Sequence, residues 1–138
     1  MRIKSIAVLI SSLLLMFVCT TSFAADDEDT PEKKPSYVSL GDAMVLNLSN
    51  SKKLSFLQLK ADVLVSSDDA QEVVLANIPA IRHQLIVLLS EQSAIDMRTP
   101  VKREEVRQLA TAQVRSLIEE MTANKDIEEV LFTVFLVQ

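Results

Sequence analysis

Between Leu54 and Val65 the chain alternates: Leu57, Leu59, Ala61, Val63 and Val65 fall on one side of an extended segment and Gln58, Lys60 and Asp62 on the other. A period of two is the mark of a strand with one buried face. An earlier stretch, Tyr37 to Leu48, is also extended in texture and is interrupted by Gly41, the single glycine of the chain, which predicts a bend or bulge. Ser49 to Lys53 reads as a turn, so the two stretches form an antiparallel hairpin with one wet face. After Ser67, Asp68 and Asp69, which offer capping oxygens, the period lengthens to that of a helix. Pro79 within Ala70 to Gln92 predicts two helices or one kinked helix, with Ile81, Leu85, Leu88 and Leu89 as the apolar stripe and Arg82 and Gln84 away from it.

A further helix is expected after Pro100. Its stripe is Val106, Leu109, Ala110, Val114, Leu117, Ile118 and Met121, with Arg103, Glu104, Arg107 and Glu119 largely outside, and Asn124, Lys125 and Asp126 end it. The run from Val130 to Gln138 then reads as a final strand that is apolar on both faces. Strict alternation puts Val130, Phe132, Val134 and Leu136 on one face and Leu131, Thr133, Phe135 and Val137 on the other. One face meets helices, and the other requires more protein, because an exposed apolar strand without charge or proline invites aggregation. A contact between subunits on this strand, with Phe135 on the contacting surface, is therefore expected. The order of elements predicts an α+β domain with helices packed on a small mixed or antiparallel sheet. No fixed-period repeat is present.

The chain is 138 residues long and carries a net charge of -5. Roughly a hundred residues remain for folding once the N-terminal segment is set aside, enough for a single small domain. That segment has Arg2 and Lys4, then an apolar stretch from Ile6 to Val18, then the small residues Ser22 and Ala24. Residues 1–24 are expected to be a signal peptide cut after Ala24, or an uncleaved N-terminal anchor; counted to Phe23, the segment reaches about 18 residues, near the lower limit for a spanning helix. Either form puts the bulk of the chain across the inner membrane, in the periplasm, soluble or tethered by residues 6–23. Cys19, the single cysteine, falls within this segment, so no disulfide framework is expected in the rest. Residues 25–36 are acidic, contain Pro31 and Pro35, and read as a disordered linker.

Candidate chemistry is sparse. Acidic and basic residues are interleaved, which excludes a general nucleic-acid binder. His83 is the one histidine, between Arg82 and Gln84, with no zinc-binding spacing near it. No serine lies in a Gly-x-Ser-x-Gly elbow, a single glycine makes no phosphate loop, and the neighbouring carboxylates Asp68 and Asp69, or Glu104 and Glu105, diverge on a helix. The sequence predicts no enzyme, no catalytic, cofactor-binding or metal-binding residue and no small-molecule substrate.

Three segments stand in order: Ile78-Pro79-Ala80-Ile81-Arg82 leading into Leu85 to Ser90, then Asp96-Met97-Arg98-Thr99-Pro100, then Val130 to Gln138 at the terminus. Together, over about Tyr37 to Gln138, they resemble the FliL family of flagellar basal-body-associated proteins, in which an early strand pair, a Pro-Ala/Lys-Ile-Arg helix start, an Arg-Thr-Pro junction and a terminal Phe-Thr-x-Phe-x-x-Gln strand recur. The resemblance implies an extracytoplasmic domain of stomatin-like (SPFH-like) fold that forms homo-oligomers. It also implies a place beside the stator and the flagellar basal body near the inner membrane, in support of torque, swimming or swarming. Family members carry a longer anchor, so a divergent copy with a cleavable leader is one form the resemblance takes. A periplasmic adaptor or membrane-scaffold module outside the flagellum is the alternative, since one fold serves several functions. At the junction, Pro100 suits a first helical turn and Thr99 a cap just before it; Arg98 has Asp96 or a neighbouring subunit as a carboxylate partner, or a purely structural role.

Overall fold

The spine of the fold is strand β3, Phe56–Val65, because every other strand pairs with it. In this computed structural model the described residues are 34–49 and 54–138, within the compact unit Lys33–Gln138. The leader or anchor, Cys19, the linker as far as residue 33 and turn residues 50–53 lie outside the described residues. The alternation read from the sequence holds: Leu57, Leu59, Ala61, Val63 and Val65 are all buried to 1 % exposure or less. Full burial of a Leu or Val contributes about 2 kcal/mol each, so this one face supplies much of the core.

One side of β3 is occupied by two short strands that behave as a single interrupted one. Strand β1, Ser36–Ser39, pairs antiparallel with the second half of β3, from Ser36 opposite Val65 to Ser39 opposite Asp62. Strand β2, Met44–Asn47, pairs with the first half, from Met44 opposite Leu59 to Asn47 opposite Phe56. Between them residues 40–43 lie opposite residues 60 and 61 alone, so the chain must loop out. Gly41 makes this possible with φ of +91°, a conformation that side chains with a Cβ rarely adopt. Arg82 fixes the loop from the helical layer, its Nη1 donating to the carbonyls of Leu40 at 2.8 Å and Asp42 at 2.7 Å. Arg82 therefore does not point away from the sheet, as its place outside the helix stripe predicted. It is long enough to reach around the stripe.

Strand β4, Ile127–Val137, runs antiparallel along the other side of β3 and starts three residues earlier than the apolar run suggests, because Ile127 is buried opposite Val65. Strict alternation does not survive in it. The register shifts by one between Lys60 and Ala61 and again between Leu64 and Val65, so Thr133 and Glu128 have no counterpart on β3. Each extra residue reverses the parity of the strand. Ile127, Val130, Phe132, Phe135 and Val137 consequently share the buried side, opposite Val65, Val63, Ala61, Leu59 and Leu57. Leu131, Val134 and Leu136 share the outer side. This corrects both the expected division of faces and the expected surface position of Phe135, which packs against the core.

Helix α1, Asp68–Ala76, is capped by Ser67, whose Oγ accepts the Ala70 N–H at 3.2 Å, and Asp68 and Asp69 lie in its first turn, where the helix dipole favours them. It is followed by α2, Ile78–Ser90, at a bend of 71°. Of the two readings of Pro79 the structure has two helices, with Pro79 in the first turn of the second, where its missing N–H costs least. A 3-10 turn, Asp96–Arg98, leads to α3, Pro100–Thr122, which ends at Ala123 in the left-handed region (φ 59°). All three helices add buried residues to the core of the sheet: Val74 from α1, Ile81, Leu85, Leu88 and Leu89 from α2, and Val106, Ala110, Val114 and Ile118 from α3. The α3 stripe is narrower than its periodicity indicates, since Leu109 and Met121 are exposed. The fold is α+β: an antiparallel sheet with three helices, and the named strands pair only antiparallel.

Candidate interaction surface

The helices cover one face of the sheet, and the surface available for recognition is the other face together with the free side of β4. On the outer face stand Tyr37 and Val45, each about two-thirds exposed, Phe56 at 40 %, and Leu136 at 49 %. Leu64, Leu131 and Val134 are half-buried beside them, and Gln58, Lys60 and Asp62 form a polar seam along β3. Apolar positions flanking a polar seam suit contact with protein better than enclosure of a small ligand.

The seal between α3 and β4 was not legible in the sequence. Arg107, Thr111 and Arg115 recur at four-residue spacing and lie along the start of β4. Thr111 is buried; its Oγ1 accepts the Val130 N–H at 3.0 Å and donates to the Arg107 carbonyl at 3.1 Å. Arg107 Nη1 donates to the Val130 carbonyl at 3.2 Å, Arg115 Nε to the Ile127 carbonyl at 2.8 Å, and Arg115 Nη2 to the Glu128 carbonyl. Helical periodicity assigns such polar residues to solvent, whereas here a strand edge is their partner. The only available signal was the spacing of three polar donors and acceptors on one side of the apolar stripe.

Arg107 also holds two carboxylates. Its Nη2 lies 2.6 Å from Glu104, and Nη1 donates to Glu129. The hydrogen bond from Arg107, followed by one from Gln108, pulls the Glu104 carboxyl down to about 2 from its ordinary 4.5. Glu104 in return pushes the Arg107 guanidinium further above its usual range. Because the folded-state value is depressed, the charged pair is intact at neutral pH and its contribution disappears as pH falls through about 2. An NMR titration is expected to place Glu104 near 2, and in Arg107→Gln to return it toward 4.5; an ordinary value in the parent protein would show that the pair is not formed.

At the Arg98-Thr99-Pro100 junction the capping arrangement is observed. Thr99 Oγ1 accepts the Lys102 N–H at 3.3 Å and donates to the Asp96 carbonyl at 2.8 Å, with Pro100 opening α3. The Arg98 side chain is exposed and makes no ion pair with Asp96, so the intramolecular partner considered for it does not form. Ile95 and Val101 stand exposed on either side of it. His83 is exposed on α2, and a shallow groove beside it is lined by Gln84, Gln113, Ser116, Leu117 and Glu120, with Gln84 donating to Gln113 at 2.8 Å. Glu104 and Glu105 diverge, the first to Arg107 and the second to Lys102 at 2.8 Å. Among the described residues no group of three or more His, Cys, Asp or Glu gathers to hold a metal ion, and no single helix is long and apolar enough to cross a membrane.

Comparison with known proteins bears on this surface. No curated protein matches the chain. The family model described as flagellar basal body-associated protein FliL matches residues 37–138, which take in all of β2 to β4, all three helices and all but the first residue of β1. With most of its length matched, the chain belongs to the FliL family of flagellar basal body-associated proteins.

Proposed function

We propose that this protein is a non-catalytic structural component on the extracytoplasmic side of the flagellar motor, self-associating beside the stator and supporting torque for swimming or swarming. The family match over 37–138 carries this reading. The one-sided domain supports it, because an outer sheet face with Tyr37, Val45 and Leu136 exposed is suited to protein contacts. In this reading residues 1–24 export the chain as a signal peptide or hold it at the inner membrane as an anchor. The linker expected over residues 25–36 then acts as a spacer as far as β1, which already begins at Ser36, and the periplasmic domain has the stomatin-like arrangement that the family resemblance implies.

Deleting the gene is expected to reduce swimming or swarming without slowing growth. Crosslinking the tagged full-length chain in swimming cells is expected to recover stator membrane proteins or basal-body rings. Recovery of unrelated envelope proteins alone, with normal motility in the deletion, would move the function to an adaptor outside the motor.

A further inference from the structure

Strand β4 is the long edge of the sheet: β1 and β2 take one side of β3, β4 takes the other, and among the described residues no strand lies beyond β4. An exposed edge presents unpaired N–H and C=O groups to any strand that can align with it. In the first part of β4, Arg107, Thr111 and Arg115 occupy these groups at Ile127, Glu128 and Val130. The cover stops there. Phe56 and Gln138 exchange both backbone hydrogen bonds, each 2.9 Å, so Leu136 and Val134 turn their backbone groups toward β3. By the alternation of an antiparallel ladder, Val137 and Phe135 turn theirs outward, as does Phe132 beyond the bulge. No hydrogen bond from another described element reaches these outward groups. Arg103, the next basic residue of α3 toward this stretch, has its guanidinium over the Phe135 ring at 5.0 Å and donates to the Met97 carbonyl rather than to the strand.

We propose that residues 132–137 of β4 pair antiparallel with the same stretch of a second copy of this chain, making one sheet continuous through two molecules. Charge favours a second copy as occupant. A strand that meets itself about a twofold axis sets identical residues against each other, and like charges opposite one another disfavour such pairing. From Val130 to Val137 there is no charged side chain and no proline, so self-pairing meets no like-charge repulsion and every residue keeps its N–H donor, with the ladder interrupted only at the Thr133 bulge. The axis stands perpendicular to the sheet, which keeps the helices of both copies on one side. Leu131, Val134 and Leu136 of both copies then adjoin on the other side as a common apolar strip. The α3 seal at Val130 limits the pairing to six residues, about 20 Å of strand. The inference deepens the self-association proposed above by naming its surface.

The full-length protein, extracted with its own N-terminal segment in mild detergent, is the material for the test. Thr133→Lys and Leu136→Lys place charge at two exposed positions on the strand without removing a side chain that faces the helices, and each is expected to halve the mass measured by light scattering. In a Cys19→Ser background, Leu131→Cys, Thr133→Cys, Val134→Cys and Leu136→Cys, made singly, are expected to give disulfide-linked dimers at one or more positions near the axis, while Tyr37→Cys gives none. The cysteine series decides the outcome if a lysine variant loses its fold. An oligomer of unchanged mass in both lysine variants, with no β4 position crosslinking above Tyr37, overturns the edge and leaves self-association standing. A monomeric parent protein overturns both.

Discussion

Replacing Leu59 by alanine is expected to destabilise the protein by about 3 to 4 kcal/mol, the range for a large side chain truncated where neighbours cannot collapse into the space. Leu59 is wholly buried in the central strand, with Met44 opposite it on β2 and Phe135 opposite it on β4. Neighbours on both sides are held by backbone ladders, so the cavity persists. In urea the midpoint is expected to fall by about 2 M, given the slopes of about 1–3 kcal/mol/M common for small domains. Val45 provides the comparison. It belongs to the same sheet but lies on the outer face at 68 % exposure, and Val45→Ala is expected to cost under about 1 kcal/mol, mainly strand propensity. Similar losses at Leu59 and Val45 would mean that the outer face is as buried as the inner one, and the one-sided sheet would be wrong.

The contrast between these two residues also separates what could be read in the sequence from what could not. The alternation around Leu59 was legible because β3 is regular and buried on one side only, so its period is unbroken over ten residues. The helix starts were legible for a local reason: Ser67 and Thr99 cap through their own hydroxyls, and Pro79 and Pro100 fit first turns. In β4 the run of apolar residues concealed the bulge at Thr133, because a hydrophobic residue on either face leaves no polar marker of the parity change. Strict alternation accordingly puts Phe135 on the outer surface, whereas its ring lies under Arg103 with its centroid 5.5 Å from that of Phe132. Non-local partners were hidden for another reason. Arg82 reaches a loop some forty residues earlier in the chain, and Thr111 reaches a strand nineteen residues later, and helical periodicity carries no information about either.

The same hidden contact gives the second large effect. Thr111→Val exchanges a hydroxyl for a methyl of nearly the same shape, so packing is retained while the acceptor of the Val130 N–H is lost. That N–H belongs to a fully buried residue sealed beneath α3, and an orphaned buried donor costs about 1–3 kcal/mol. Thr111→Ser keeps the acceptor and removes only the methyl, so its cost is expected to be smaller, about 1 kcal/mol. Two readouts distinguish the causes. The valine variant is expected to lose more stability in urea than the serine variant, and the Val130 amide is expected to exchange with solvent faster in the valine variant alone. Equal losses would show that the methyl, not the hydroxyl, holds α3 to the strand, and the polar seal along the start of β4 would have to be abandoned. A selective loss in the valine variant would instead establish that α3 protects this half of the edge through hydrogen bonds, which is the physical basis for distinguishing it from the uncovered half beyond Val130.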